Sequence, residues 1–228
     1  KKITFKIFNP DGSEAEKSGN GIRIFALYLL DALYVKKNYF DLYTKSGKVV
    51  IEVIDLKSNL IKIDMGKYSF LSQDIPALLG QGEILNKEID LLGQKETINC
   101  VNVGNPHCVL VRDSISATLC KKLGPVLETS PLFPNRTNIQ FVQVLDRSNI
   151  KIEIWERGAG YTLASGTSSC AASSVVYKLG LVEQDLTVHM PGGKLNVTVL
   201  PDELFLTGTV DRVAHGDFAE DFIQKILN

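Results

Sequence analysis

The chain contains no Cys-x-x-Cys pair, and its four cysteines, Cys100, Cys108, Cys120 and Cys170, follow no regular spacing. That excludes a disulfide framework and reads as reduced thiols in a cytoplasmic protein. There is no block of one charge: 25 Lys and Arg stand against 26 Asp and Glu, for a formal net charge of −1. Nucleic acid and anionic membrane surfaces are thereby excluded as the main partner. No apolar run reaches membrane-spanning length, and the opening K-K-I-T-F-K shows no signal-peptide core. With three histidines in all, metal ligands are scarce, and the spacing of Cys100, His107 and Cys108 matches no zinc pattern. Neither a metal nor a cofactor is expected.

What the chain does have is repetition. I-F-N-P-D-G-S-E-A-E-K-S-G-N-G runs from Ile7 to Gly21, and I-W-E-R-G-A-G-Y-T-L-A-S-G-T-S from Ile154 to Ser168. Each opens with Ile and an aromatic residue and reaches Ser-Gly eleven residues later. A helix-length run follows each, over 21–34 and 166–179, and then a Gly-Lys turn into a strand, at 46–54 and 191–200. The Ser-Gly to Gly-Lys offset is 29 residues from Ser18 to Gly47 and 28 from Ser165 to Gly193. Three features in one order point to an internal duplication. Further strands are expected at 2–8, 60–65, within 97–111, and at 139–145 and 151–155. The run after Gly21 is apolar on nearly every face and should be buried all round. The end, F-A-E-D-F-I-Q-K-I-L, reads as an amphipathic helix docked back on the first half.

The pattern predicts an α+β fold of two pseudo-symmetric domains, each a bent mixed or antiparallel sheet wrapped around a central helix. Residues 1–66 with 213–228 form the first domain, and 67–212 the second. In each, Ser-Gly opens a helix whose free N–H groups and partial positive charge suit an anion. Gly19 and Gly166 let a ligand approach closely. Ser18 and Ser165 read equally as helix N-caps, a role that favours serine.

The stretches F-N-P-D-G-S-E (8–14), S-G-N-G-I-R (18–23), V-G-N-P-H-C-V (103–109), N-I-Q-F-V-Q (138–143), E-R-G-A-G-Y-T-L-A-S-G-T-S-S-C-A (156–171) and P-G-G-K-L-N-V (191–197) resemble the diaminopimelate epimerase family. The resemblance covers nearly the whole chain. It implies a cofactor-independent isomerase that interconverts LL- and meso-diaminopimelate, a lysine and cell-wall precursor. Two residues on opposite faces of an α-carbon would carry the proton, at positions matching Ser18 and Ser165. The helix ends at Gly19-Asn20 and Gly166-Thr167 would hold the α-carboxylate region. Asn9, Asn105 and Asn138 match substrate-binding asparagines. Glu156 and Arg157 match the pair addressing the α-amino group and the distal end of the ligand. His107 matches a supporting histidine. The partner implied is a small amino acid, and a homodimer is left open.

The bottom-up chemistry agrees with those roles. An ammonium needs an acceptor such as Glu156, and a distal carboxylate suits the guanidinium of Arg157. Asn supplies donors and acceptors without charge.

The chain departs from the family twice. The family's reacting cysteines are replaced by Ser18 and Ser165, and serine is a far weaker acid than a thiol, so proton transfer should be poor. The family also carries a segment with a G-x-G-N-D-F motif ahead of the first Ser-Gly unit, and Lys1 falls after it. Two other readings stay open. One is a divergent racemase, epimerase or dehydratase on another amino acid. The other is a catalytically silent amino-acid-binding protein.

Overall fold

The computed structural model describes residues 2–8, 12, 14, 18–45, 47–214 and 216–227. The chain passes from extended backbone at Ser18 (φ −140°, ψ 111°) into α1, Gly19–Asp31. An antiparallel meander follows: β1, Tyr39–Thr44; β2, Gly47–Asp55; β3, Leu60–Gly66. Next come β4, Lys87–Leu91, β5, Gln94–Asn102, and β6, Pro106–Val111. Helix α2, Ala117–Glu128, leads to β7, Asn138–Asp146, β8, Asn149–Glu156, and the short β9, Gly160–Thr162. Then α3, Gly166–Lys178, opens from an extended Ser165 (φ −151°, ψ 128°). A second meander follows, of β10, Asp185–Met190, β11, Gly193–Val199, and β12, Leu204–Gly208, before α4, Glu220–Leu227.

Among the described residues the strands form one mixed sheet, in the order β1-β2-β3-β12-β11-β10-β8-β7-β6-β5-β4, with β9 on β8. The duplication is visible in the pairing. β10 runs parallel to β8, and Thr4 bridges Tyr43 of β1 in parallel. Each meander ends in a strand that pairs with its counterpart, β3 with β12, antiparallel, with Ile63 opposite Leu206. The seam between the two repeats is therefore this strand pair. Alternation along β3 buries Ile61, Ile63 and Met65, and along β11 it buries Leu195, Val197 and Val199. These side chains join Ile22 and Ala26 of α1 and Cys170 to Val176 of α3 in one apolar cluster.

The two helices are enclosed to different degrees. In α3 every residue from Ser168 to Val176 is buried, and the run of Ala and Ser lets strands close around it. The expectation of all-round burial fails for α1: Ile24 and Tyr28 are about half exposed, and its buried residues are Gly19, Ile22, Arg23, Ala26, Leu27 and Leu29. Residues 2–8 make bridges rather than a strand, with Phe5 N donating to Tyr43 O at 2.8 Å and Tyr43 N donating to Ile3 O at 3.0 Å. α4 is helical as expected, but its side chains from Glu220 to Ile226 are exposed rather than docked.

α2 was not anticipated. It builds a second cluster on the opposite face of the sheet, where Cys120, Leu123 and Leu127 meet Ile98, Cys108, Ile139 and Phe141. Contact there is close: a β-carbon on Gly124 would stand 2.6 Å from Trp155 Cγ. Only glycine permits the helix to lie so near the indole. The carboxylate of the buried Glu128, at the end of α2, accepts from Trp155 Nε1 at 2.7 Å and from Gly158 N at 3.0 Å.

Candidate functional site

Ser18 and Ser165 both cap their helices. Ser18 Oγ accepts from Gly21 N at 3.1 Å, and Ser165 Oγ accepts from Ser168 N at 3.3 Å. The first intrahelical bonds run from Ile22 N to Ser18 O at 2.9 Å and from Ser169 N to Ser165 O at 3.1 Å. Among the described residues nothing accepts from the N–H groups of Gly19, Asn20, Gly166 and Thr167. Two first turns thus present free donors.

These two turns touch. A β-carbon on Gly166 would stand 3.3 Å from Gly19 Cα and 2.8 Å from Leu206 Cδ2. One on Gly19 would stand 2.8 Å from the same Leu206 methyl. The bare backbones and Leu206, at the strand seam, fix the meeting point. Each helix brings roughly half a positive charge to its N-terminus, so two like poles converge, an arrangement of the kind that suits an anion.

A third positive group is carried by α1 itself. Arg23 is 5% exposed; its Nη1 donates to Gly19 O at 3.3 Å and its Nη2 to Asn20 Oδ1 at 2.8 Å. Burial pushes its guanidinium down to about 10, partly offset by the nearby Cys170. No described residue accepts from its Nε. Arg23 and Asn20 line a cleft of about 370 Å³ with Met190, Gly192, Lys194 and Asp211. That cleft does not include Ser18 or Ser165. The sequence carried Arg23 within S-G-N-G-I-R, and the signal for its role was a lone cation in an apolar helical run.

The second half of the site is a connected hydrogen-bond network. Ser165 Oγ lies 3.4 Å from Thr167 Oγ1. Ser168, whose N–H holds Ser165, accepts at Oγ from Gln140 Nε2 at 3.0 Å. Gln140 Oε1 lies 3.1 Å from His107 Nδ1, and Asn105 Oδ1 lies 2.9 Å from His107 Nε2. The His107 ring is completely buried, which drives its basicity down to about 3; the Gln140 contact opposes the shift and the Arg157 charge adds to it. The imidazole is neutral at any ordinary pH. Gln140 and Ser168 had no assigned role in the sequence, although Gln140 sits in a strand as apolar as N-I-Q-F-V-Q.

Asn138 ties two loops together. Its Nδ2 donates to Pro106 O at 2.9 Å, and its Oδ1 accepts from Arg157 N at 3.0 Å. Both ends of that amide serve the backbone. The exposed Arg157 donates from Nη1 to Asn135 O at 3.3 Å, and Glu156 Oε1 accepts from Thr162 Oγ1 at 3.0 Å. Gly19, Asn20, Ser18, Ser165, Gly166, Thr167, Asn105, His107, Asn138, Glu156 and Arg157 therefore belong to two contiguous groups, joined where the glycines touch. Asn9 lies outside the described residues, as does His215. Cys170 is an interior helix residue with no exposed surface. Gly192-Gly193 is the turn into β11 rather than a phosphate loop, with Gly192 N donating to Leu163 O at 2.8 Å. Among the described residues no cluster of His, Cys, Asp and Glu could hold a metal ion. No described helix is long and apolar enough to cross a membrane.

Comparison with known proteins gives the family and the fold. A family model described as diaminopimelate epimerase matches residues 1–71 and 99–213. Diaminopimelate epimerase 2 of Nostoc sp. is 44% identical over 230 residues, covering 100% of this chain and 80% of that protein. The diaminopimelate epimerase of Halothermothrix orenii is 37% identical over 215 residues, covering 92% and 76%. Among solved structures, a hydroxyproline epimerase from Agrobacterium vitis shares the fold at TM-score 0.65 and 13% identity, covering 90% of this chain and 67% of that one. A probable proline racemase from Agrobacterium radiobacter does so at TM-score 0.68 and 14% identity, covering 90% and 68%. With a family model matched over most of its residues and a 44%-identical relative matched along its full length, the chain belongs to the diaminopimelate epimerase family.

Proposed function

We propose that the chain binds an amino acid of the diaminopimelate type, with its α-carboxylate at the meeting helix ends and its α-carbon between Ser18 and Ser165. The observation that carries this reading is the backbone contact of Gly19 and Gly166, which brings together two helix N-termini whose first N–H groups have no acceptor among the described residues. An α-carboxylate is the anion an amino acid offers to such a point. Glu156 supplies an acceptor for its ammonium, and Arg157 addresses the distal carboxylate in two hydrogen bonds.

The reaction implied is inversion between the LL and meso forms. One carrier takes the α-proton with its bonding pair left on carbon; the other delivers a proton to the opposite face, with no net change of oxidation state. As carriers, Ser18 and Ser165 are poor. Each Oγ already accepts a helix N–H, and no described base stands within hydrogen-bond reach of either. A hydroxyl so held donates its proton rather than taking one. That observation favours a second reading, a silent amino-acid binder with the acid–base pair lost.

Incubation with LL- and meso-diaminopimelate in D2O, followed by NMR, separates the two. Exchange of the α-hydrogen by Ser18→Cys/Ser165→Cys protein but not by the unmodified chain is the expected result. Exchange by the unmodified chain would reject the silent reading. Binding of neither ligand by either protein would reject the substrate class.

A further inference from the structure

We propose that Gln140 and Ser168 are positioning residues: with His107 they form a buried hydrogen-bonded chain that turns the Asn105 carbonyl outward, to accept from the ammonium of a bound amino acid. This rests on the amino-acid reading above for its ligand, while the polarity of the chain can be read with no ligand present.

The argument starts from proton counting. Both ring nitrogens of His107 face an amide oxygen as placed, Gln140 Oε1 at 3.1 Å and Asn105 Oδ1 at 2.9 Å. A neutral imidazole carries one N–H and one lone pair. Two carbonyl oxygens cannot both be satisfied, so one amide presents its NH2 to the ring instead. Gln140 is held at both ends, since its Nε2 donates to Ser168 Oγ at 3.0 Å. In the placed orientation its Oε1 lies on Nδ1, which then carries the proton and leaves Nε2 as an acceptor. The Ser168 hydroxyl can equally donate to a reversed amide, and the ring tautomer separates the two. Asn105 is partly exposed, and no described residue holds the other end of its side chain. It is the amide free to turn, with Nδ2 donating to His107 Nε2 and Oδ1 facing out.

The strands explain why this chain is possible. His107 of β6 lies opposite Asn138 of β7, and Val109 opposite Gln140, in parallel register. His107, Asn138 and Gln140 thus project to the face covered by α3, while Cys108 and Ile139 project to the α2 face. Ser168, in the first turn of α3, meets Gln140 from above and holds Ser165 with its N–H. The chain runs from the partly exposed Asn105 to the cap of α3 through side chains that are buried once Asn105 is passed.

A long-range 1H–15N correlation spectrum of labelled protein reads the tautomer directly. The expected result is a protonated Nδ1 and a bare Nε2. Gln140→Met removes the acceptor at Nδ1 and should shift the ring toward Nε2–H. Calorimetry should then show meso-diaminopimelate binding weakened about tenfold, because one acceptor for a charged group has turned away. Pimelate, which lacks the ammonium groups, should change by less than about twofold. Gln140→Glu restores an acceptor and should restore both tautomer and affinity. Should Gln140→Met fail to fold, Ser168→Ala frees Gln140 to rotate and should give the same tautomer shift. A bare Nδ1 in the unmodified protein, or an unmoved tautomer in the variants, overturns the proposal. So does equal weakening of both ligands. A tautomer that behaves as expected while neither ligand binds the unmodified chain supports the positioning chain and rejects the amino-acid reading.

Discussion

Gly19 and Gly166 meet backbone to backbone at the first turns of α1 and α3, beneath the side chain of Leu206. The contact has no room for a side chain on either residue. It also lies at the seam where β3 pairs with β12, so the element that joins the two repeats is the one that aims their helices.

Gly166→Ala tests that contact. The Leu206 methyl can move aside, but the Gly19 backbone at 3.3 Å cannot without shifting α1. Urea denaturation should show a loss of about 1–3 kcal/mol. Unchanged stability would mean that the helix ends are not in contact in solution.

His107 gives stability a pH dependence of known sign. Its folded pKa of about 3 lies below the ordinary 6.5, so between these values the unfolded chain binds more protons. The contribution is fully present above about 6.5 and is lost as pH falls toward 3, at about 1.4 kcal/mol per unit. From pH 7 to 5 the unmodified protein should lose about 2 kcal/mol more than His107→Gln. Parallel stability curves for the two proteins would contradict a buried neutral ring.

Glu128 anchors the loop after β8 through Trp155 Nε1 and Gly158 N. Glu128→Gln turns one acceptor into a donor facing these groups and should cost about 1–3 kcal/mol. The chain has one tryptophan, so its fluorescence reports the change without ambiguity. An unshifted emission with unchanged stability would show that the carboxylate is dispensable.

Cysteines placed at positions 18 and 165 should ionise below the ordinary value of about 8.5, because each thiolate would cap a helix N-terminus. The native thiols should stay inert: all four are buried, and burial pushes Cys120 up to about 12. Contact with Cys100, together with burial, holds Cys108 well above its ordinary range. Alkylation near pH 7, read by mass spectrometry, should therefore mark the new cysteines alone. Equal labelling of Cys120 or Cys170 would contradict the burial.

Much of the site was legible because it is local. Ser-Gly before a helical run specifies a cap, and its recurrence at Ser165 specifies a second one. The contact between the caps is set by Leu206 and the β3–β12 pairing, which no local pattern encodes. The same holds for Gln140: one polar residue in an apolar strand does not say which helix covers it. No sequence pattern marked α2, which continues through Gly124-Pro125, two poor helix formers, where it packs closely on Trp155. The exposure of Ile24 and Tyr28 was hidden for the converse reason, since apolar character alone does not say which faces have a neighbour.

The β3–β12 seam also bears on synthesis. β3 pairs with β2 on one side, but its other partner, β12, is the last of the described strands to be made. Until β12 appears, the second edge of β3, a strand that carries Ile61, Ile63 and Met65, stays open, and an open edge on an apolar strand recruits other chains. Nascent protein should therefore depend most on chaperones in the interval between the two strands, and slowing translation there should reduce the soluble yield.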